Sequence, residues 1–179
     1  MNKIQRVSLF LRVIFQLVFV AWPILVITYW SFAPSLIPNF MHIISLIPDR
    51  LEILHPITAA DAFRGCLISL LPSAIIMTIL YFLIKLFKLY EQGKIFTLLN
   101  VKYIKNIGIT MLIGQVVDFI YEGLISFALT FHNPAGHRVA SFTFGTPDVY
   151  NILTAVMVIV ISWIMAEGCK LQEENQYTV

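Results

Sequence analysis

Asp118 and Glu122 stand four residues apart inside an apolar run, residues 107–131, that is long enough to cross a bilayer. An ionised side chain at the bilayer centre costs about 2.5 to 3.5 kcal/mol on insertion scales, so carboxyls at that depth turn toward protein or water and commonly serve function. Thr110, Gly114, Asp118, Glu122, Ser126 and Thr130 recur every fourth residue and so draw a slowly winding polar stripe along a helix. Gln115 lies seven positions before Glu122 and joins its face. Gln115, Asp118, Glu122 and Ser126 fall within roughly 80° of arc, while Ile113, Val116, Ile120, Leu124 and Phe127 cover much of the remainder. The pattern predicts a buried intramembrane polar site made of Gln115, Asp118, Glu122 and Ser126.

Three chemistries suit such a site. Two carboxyls at this spacing repel when both are ionised, which makes proton or small-cation handling along a wet path one of them. A polar knot that fastens span three to its neighbours is the second, since interhelical hydrogen bonds are common glue in membrane bundles. Binding of a cationic or lipid-like ligand, or of a partner's basic span, is the third. No Lys or Arg shares the depth of the pair, and Arg64 is the nearest basic candidate. Tyr29, Tyr81, Gln16, Ser162 and Trp163 are the neutral hydrogen-bond candidates.

Other chemistry is poorly supplied. His42, His55, His132 and His137 match no compact metal motif and read as independent loop histidines, so no metal site is expected. The two cysteines, Cys66 and Cys169, fall on opposite sides of the membrane in the topology derived below, which rules out a disulfide between them. No GxSxG, HExxH, P-loop or paired CxxC signature occurs. The expectation is a protein that is not an enzyme, with no catalytic residues and no cofactor.

The elements that must position the stripe follow from composition. Of 179 residues, 59% are hydrophobic and 12% charged, against roughly 25% charged in an ordinary soluble domain. Four stretches are long and apolar enough to span, near residues 13–30, 66–87, 107–131 and 150–166. Nine of the twelve Lys and Arg fall on one side of these spans, and only Arg50, Arg64 and Arg138 on the other. The positive-inside rule then places both termini in the cytoplasm. The fold class is an all-α membrane protein, a four-helix bundle forming a single integral-membrane domain, with the lipid bilayer as its first partner. The Lys-rich connection, residues 88–106, reads as an orientation and headgroup-contact signal rather than as a nucleic-acid surface. A wide pore would need several copies, so a homo-oligomer is the arrangement a channel would take.

Two outer loops complete the chain. Residues 31–62 are unusually apolar, and Leu36, Ile37, Phe40, Met41, Ile43, Ile44 and Ile47 suggest a short interfacial helix. Residues 50–55 alternate in polarity as a half-buried strand does. In the second loop, residues 132–149, a turn at 133–136 precedes the strand-like stretch 138–145, so a small β cap formed by the two loops is expected.

The connection carries Gly93, Phe96, Asn100, Ile107 and Gly108, and the tail carries Gly168, Leu171, Glu173, Glu174 and Thr178. These resemble the G-x-x-F…N…(basic-rich)…I-G connection and the G-x-x-L-x-E-E…T-hydrophobic ending of the bacterial membrane-protein family called domain of unknown function 2975. The resemblance covers most of the chain from span two onward. It implies a four-span bacterial inner-membrane protein and carries over no catalytic residue. Lys102 and Lys105 stand where that pattern favours Arg, which keeps the charge but not bidentate anion recognition. Some relatives are similar to proteins encoded beside small helix-turn-helix regulators, which implies a signalling role. Gly93 suits a positive φ at the end of span two, Phe96 suits burial at the membrane interface, and Asn100 suits a cap or a bond to the Glu173–Glu174 tail.

Two functions remain open from sequence. One is proton or small-cation handling at the span-three acids. The other is a membrane-embedded regulatory or sensor subunit that docks a cytoplasmic regulatory protein through residues 88–106 and the acidic tail.

Overall fold

A computed structural model describes residues 3–33, 46, 53, 54, 56–134 and 136–176. Four helices follow one another: α1 (Lys3–Phe32), α2 (Ala59–Glu91), α3 (Leu98–Thr130) and α4 (Thr146–Gln176). All four are long and apolar enough to cross a membrane. Their 30 to 33 residues correspond to roughly 45–50 Å at ~1.5 Å per residue, more than the ~30 Å hydrocarbon core, so each helix overruns the span read from its apolar run. Pro23 lies inside α1 and Pro72 inside α2, and neither ends its helix.

Helix ends are set by local chemistry. Before α2, Asp61 accepts the Thr58 N–H at 3.1 Å and its own N–H donates to Thr58 Oγ1 at 3.2 Å, a reciprocal capping box. At the far end of α2, Gly93 has φ +77°, the left-handed conformation its position suggests. Gly93 N–H donates to Tyr90 O and Lys94 N–H to Leu89 O, both at 3.0 Å, which is the Schellman arrangement. α3 then begins after Thr97, whose hydroxyl oxygen accepts the Asn100 N–H at 3.3 Å.

The chain divides into two compact units, and α1, α2 and α3 each contribute to both. The first comprises Met1–Val20, Ile75–Gln115 and Thr146–Val179. Its α4 seam is a heptad: Ala155, Ser162 and Cys169 are all buried, seven residues apart, with charged and large apolar neighbours turned out. Small residues permit close helix approach. At Gly108, a Cβ would stand 2.6 Å from Ile159 Cγ1 and 3.0 Å from Ala155 O, so only glycine fits between α3 and α4 there. Phe15 meets Phe87 with ring centroids 5.4 Å apart, and Arg12 reaches Glu91 side-on, Nε to Oε2 at 2.9 Å.

The second unit comprises Ala21–Ala74 and Val116–Gly145. Its core joins Val26, Trp30, Ala33, Leu46, Ala62, Tyr121, Ile125 and Leu129. A directed hydrogen-bond chain runs through it. The Trp30 indole N–H donates to Ser69 Oγ at 3.0 Å, and Tyr121 OH donates to Leu46 O at 2.5 Å. With both of those donors committed, the 3.2 Å bond between Ser69 and Tyr121 must take its proton from Ser69. The Trp22 indole N–H extends the network to Ser73 Oγ at 3.3 Å. Every member thus has its polar atom satisfied in an apolar surrounding, which is the condition for such a network to stabilise rather than cost.

The β cap expected over the loops is not formed by the described residues, among which there is no strand. Val139, Ser141 and Thr143 bond to α3 and, among the described residues, to no strand, for a reason given below. The interfacial helix expected within residues 36–47 lies outside the described residues except for Leu46, as does the strand expected at 50–55 except for residues 53 and 54. Leu54 N–H donates to the Asn133 side-chain oxygen at 3.2 Å, so this backbone group too is met by a side chain.

Candidate functional site

Three members of the α3 stripe share one task. Thr130 Oγ1 accepts the Val139 N–H at 3.0 Å, Ser126 Oγ accepts the Ser141 N–H at 2.8 Å, and Glu122 Oε2 accepts the Thr143 N–H at 2.7 Å. Every fourth residue of the helix therefore meets every second residue of the extended segment, with the segment running opposite to α3. The registers match because four helical residues rise ~6.0 Å and two extended residues ~6.8 Å. The stripe serves residues 139–143 as a neighbouring strand would.

The rungs differ in environment. Ser126 and Thr130 are fully buried, and each hydroxyl also lies within bonding distance of a helix carbonyl one turn back, Glu122 O at 2.6 Å and Ser126 O at 2.8 Å. Glu122 is half-buried and its bond to Thr143 is exposed. Phe142 turns onto α3, where its ring stacks on Phe119 at 4.9 Å. Gly123 makes that possible, since a methyl group there would overlap the Phe142 ring.

The four residues expected to form one buried site are thus not equivalent. Glu122 and Ser126 belong to the ladder. Asp118 is exposed, which corrects the expectation that both acids are buried: Val116, Asp118, Phe119 and Ile120 all lie on the uncovered side of α3. Gln115 is grouped with the first unit, and its Oε1 is buried without a hydrogen-bond partner. Of the neutral side chains expected to serve the acids, Ser162 donates to Ile159 O, Gln16, Tyr81 and Trp163 are exposed, and the Tyr29 hydroxyl is buried with no hydrogen-bond partner. Arg64 lies 3.5 Å from Asp61, not on the span-three acids.

Asp61 is the residue that sequence reasoning passed over. Its carboxylate is fully buried, caps α2, and lies 3.4 Å from His132 Nδ1 as well as beside Arg64. The signal was Thr58-x-x-Asp61 directly before an apolar run, a capping box in sequence form. His132, itself about half exposed, therefore lies beside the buried Asp61 carboxylate rather than standing alone, whereas His42 and His55 lie outside the described residues. Among the described residues no three His, Cys, Asp or Glu side chains converge as metal ligands.

The connection motif is a hydrogen-bonded joint. The Asn100 amide is fully buried and its nitrogen donates to Lys94 O and Ile95 O, both at 2.6 Å, so it braces the loop ahead of α3 instead of bonding the tail. Gly93 closes α2 and Gly108 packs against α4, as described above. Phe96 is exposed on the chain's own surface. In the tail, Gly168 has open space around it, and Leu171, Glu173 and Glu174 are exposed. Thr178 lies outside the described residues.

Comparison with curated proteins and with solved structures returned no match. A family profile matches residues 20–179, which takes in the second part of α1 as well as the connection and tail motifs. The chain belongs to the family described as Protein of unknown function (DUF2975).

Proposed function

We propose that the protein is a non-enzymatic regulatory or sensor subunit of the bacterial inner membrane, with both termini cytoplasmic. Residues 139–143 are its receiving element, and the 88–106 connection with the acidic tail is its presenting element. The observation that carries this reading is the α3 ladder: an extended segment whose N–H groups are met by side chains, one of them an ionisable carboxylate. A true strand pair is held by backbone groups alone, whereas this segment is held at one end by the Glu122 side chain through a solvent-exposed bond that a bound ligand could displace. On the presenting side, α4 continues to Gln176 with Glu167, Leu171, Glu173 and Glu174 exposed, an acidic helical end suited to a basic partner surface.

In-cell cross-linking followed by affinity purification of the full chain tests the reading. A cytoplasmic protein recovered with the wild type should be lost from a Leu171→Ala/Glu173→Gln/Glu174→Gln variant that still reaches the membrane. Recovery of the same proteins with both chains counts against it.

A second reading keeps proton or small-cation handling, because Asp118 is exposed one turn from Glu122. It requires that Asp118→Asn/Glu122→Gln abolish a pH- or cation-driven flux in proteoliposomes, and equal flux from both proteins sinks it.

A further inference from the structure

We infer that the α2–α3 connection is a selective seat for anionic phospholipid headgroups, with Lys94, Lys102 and Lys105 supplying charge and Phe96, Leu98 and Leu99 apolar anchorage. This goes beyond the regulatory reading and does not depend on it: the connection is assigned to lipid, and a partner contact would then fall to the acidic tail alone.

The charge is uncompensated. Residues 92–106 contain no Asp or Glu. The acid just before them, Glu91, is engaged by Arg12 through two contacts, Nε to Oε2 at 2.9 Å and Nη2 to Oε1 at 3.4 Å. Lys88, Lys94, Lys102 and Lys105 are all exposed, and among the described residues none has an ion-pair partner. No acidic residue occupies the first turn of α3, so the positive end of that helix adds to the same field.

The apolar part sits where a lipid would meet it. Phe96, Leu98 and Leu99 are 63%, 55% and 45% exposed at the start of a membrane-length helix. Leu98, Lys102 and Lys105 follow i, i+4, i+7 spacing and share one face. Lys102 and Lys105 lie roughly 6 and 10 Å along α3 from Leu98, and helical side chains tilt toward the N-terminus. Their stems therefore run back along apolar surface and deliver both ammonium groups to the level of the connection. The loop is pre-organised for this by the Asn100 brace on Lys94 O and Ile95 O. A free phosphate would use the lysines but not the three apolar side chains, so a lipid is the occupant that accounts for both.

Native mass spectrometry of the full-length protein in neutral detergent tests the inference, with phosphatidylglycerol and phosphatidylcholine offered at equal concentration. A juxtamembrane lysine contributes a factor of about five in binding to anionic lipid. The wild type should retain phosphatidylglycerol selectively, and Lys94→Gln/Lys102→Gln/Lys105→Gln should lower that selectivity by about tenfold or more. Leu98→Ser/Leu99→Ser should weaken retention of phosphatidylglycerol while leaving the lysines in place. The selectivity of the wild type must also fall as salt rises, a test that needs no variant. Equal retention of the two lipids, unchanged selectivity in the triple-lysine variant, or displacement by millimolar inorganic phosphate overturns the inference.

Discussion

The α3 ladder makes an ordering prediction in which burial outweighs charge. Glu122 offers the only charged acceptor, and a hydrogen bond to a charged group contributes about 1.5–3 kcal/mol against about 0.5–1.5 for a neutral one. The Thr143 rung is exposed, however, so a freed N–H finds water and the upper values do not apply. Glu122→Ala should then cost about 1 kcal/mol of local stability, and Glu122→Gln, which keeps a neutral acceptor, about half that. Ser126 is fully buried. Ser126→Ala leaves the Ser141 N–H of a part-buried bond without its acceptor, and the penalty for an unsatisfied donor is about 1–3 kcal/mol. Hydrogen–deuterium exchange of the 137–145 segment in lipid nanodiscs reads these as opening equilibria. The expected accelerations are about twofold for Glu122→Gln, about fivefold for Glu122→Ala and tenfold or more for Ser126→Ala. Unchanged exchange in all three variants would refute the ladder. A larger effect from Glu122→Ala than from Ser126→Ala would refute the burial argument while leaving the ladder in place.

Two further outcomes follow from the first unit. Gly108→Ala places a methyl group 2.6 Å from Ile159 Cγ1 and 3.0 Å from Ala155 O, an overpacking expected to cost about 1–3 kcal/mol and to lower the thermal midpoint of the purified protein, whereas Gly168→Ala, with open space around it, should leave the midpoint unchanged. Asn100→Ala frees two loop carbonyls at once, at about 1 kcal/mol for each lost hydrogen bond, and limited proteolysis should cut residues 92–97 faster while the helices stay intact.

Four spans were legible because predominantly apolar runs of that length, in a chain with so little charge, find burial in a bilayer and hardly anywhere else. The Gly93 turn was legible too, since a glycine placed after Tyr90-Glu91-Gln92 invites a helix stop. Residues 138–145 were read as a strand paired with the first loop, but no described residue is in a strand, and Val139, Ser141 and Thr143 bond to α3. Alternation shows that a segment is extended, but not which groups will receive its N–H bonds. The answer was in α3, where a four-residue polar period offers the same spacing of acceptors as a strand edge. Asp118 misled for a related reason: the stripe winds, so residues four apart drift round the helix, and Asp118 has left the face that Ser126 and Thr130 occupy. Asp61 was hidden by its own economy, because a carboxyl that caps a helix belongs to no catalytic or ligand pattern.

The order of the rungs determines how the segment can come loose. Thr130 and Ser126 hold Val139 and Ser141 through hydroxyls that stay neutral at any physiological pH, and both are buried. The Glu122 rung is both the exposed one and the last, at Thr143. Opening is therefore expected to start from the Thr143 end while the Val139 end stays anchored. Phe142 is the residue most affected, since its stack on Phe119 lies between the exposed rung and the nearer buried one. A bound cation at Glu122 would draw the carboxylate away from Thr143 and promote the same fraying. Exchange of the 141–145 amides, measured with and without added divalent cation, tests this. If the cation does not alter those amides relative to Val139, Glu122 is a fixed strut and the segment is not the receiving element.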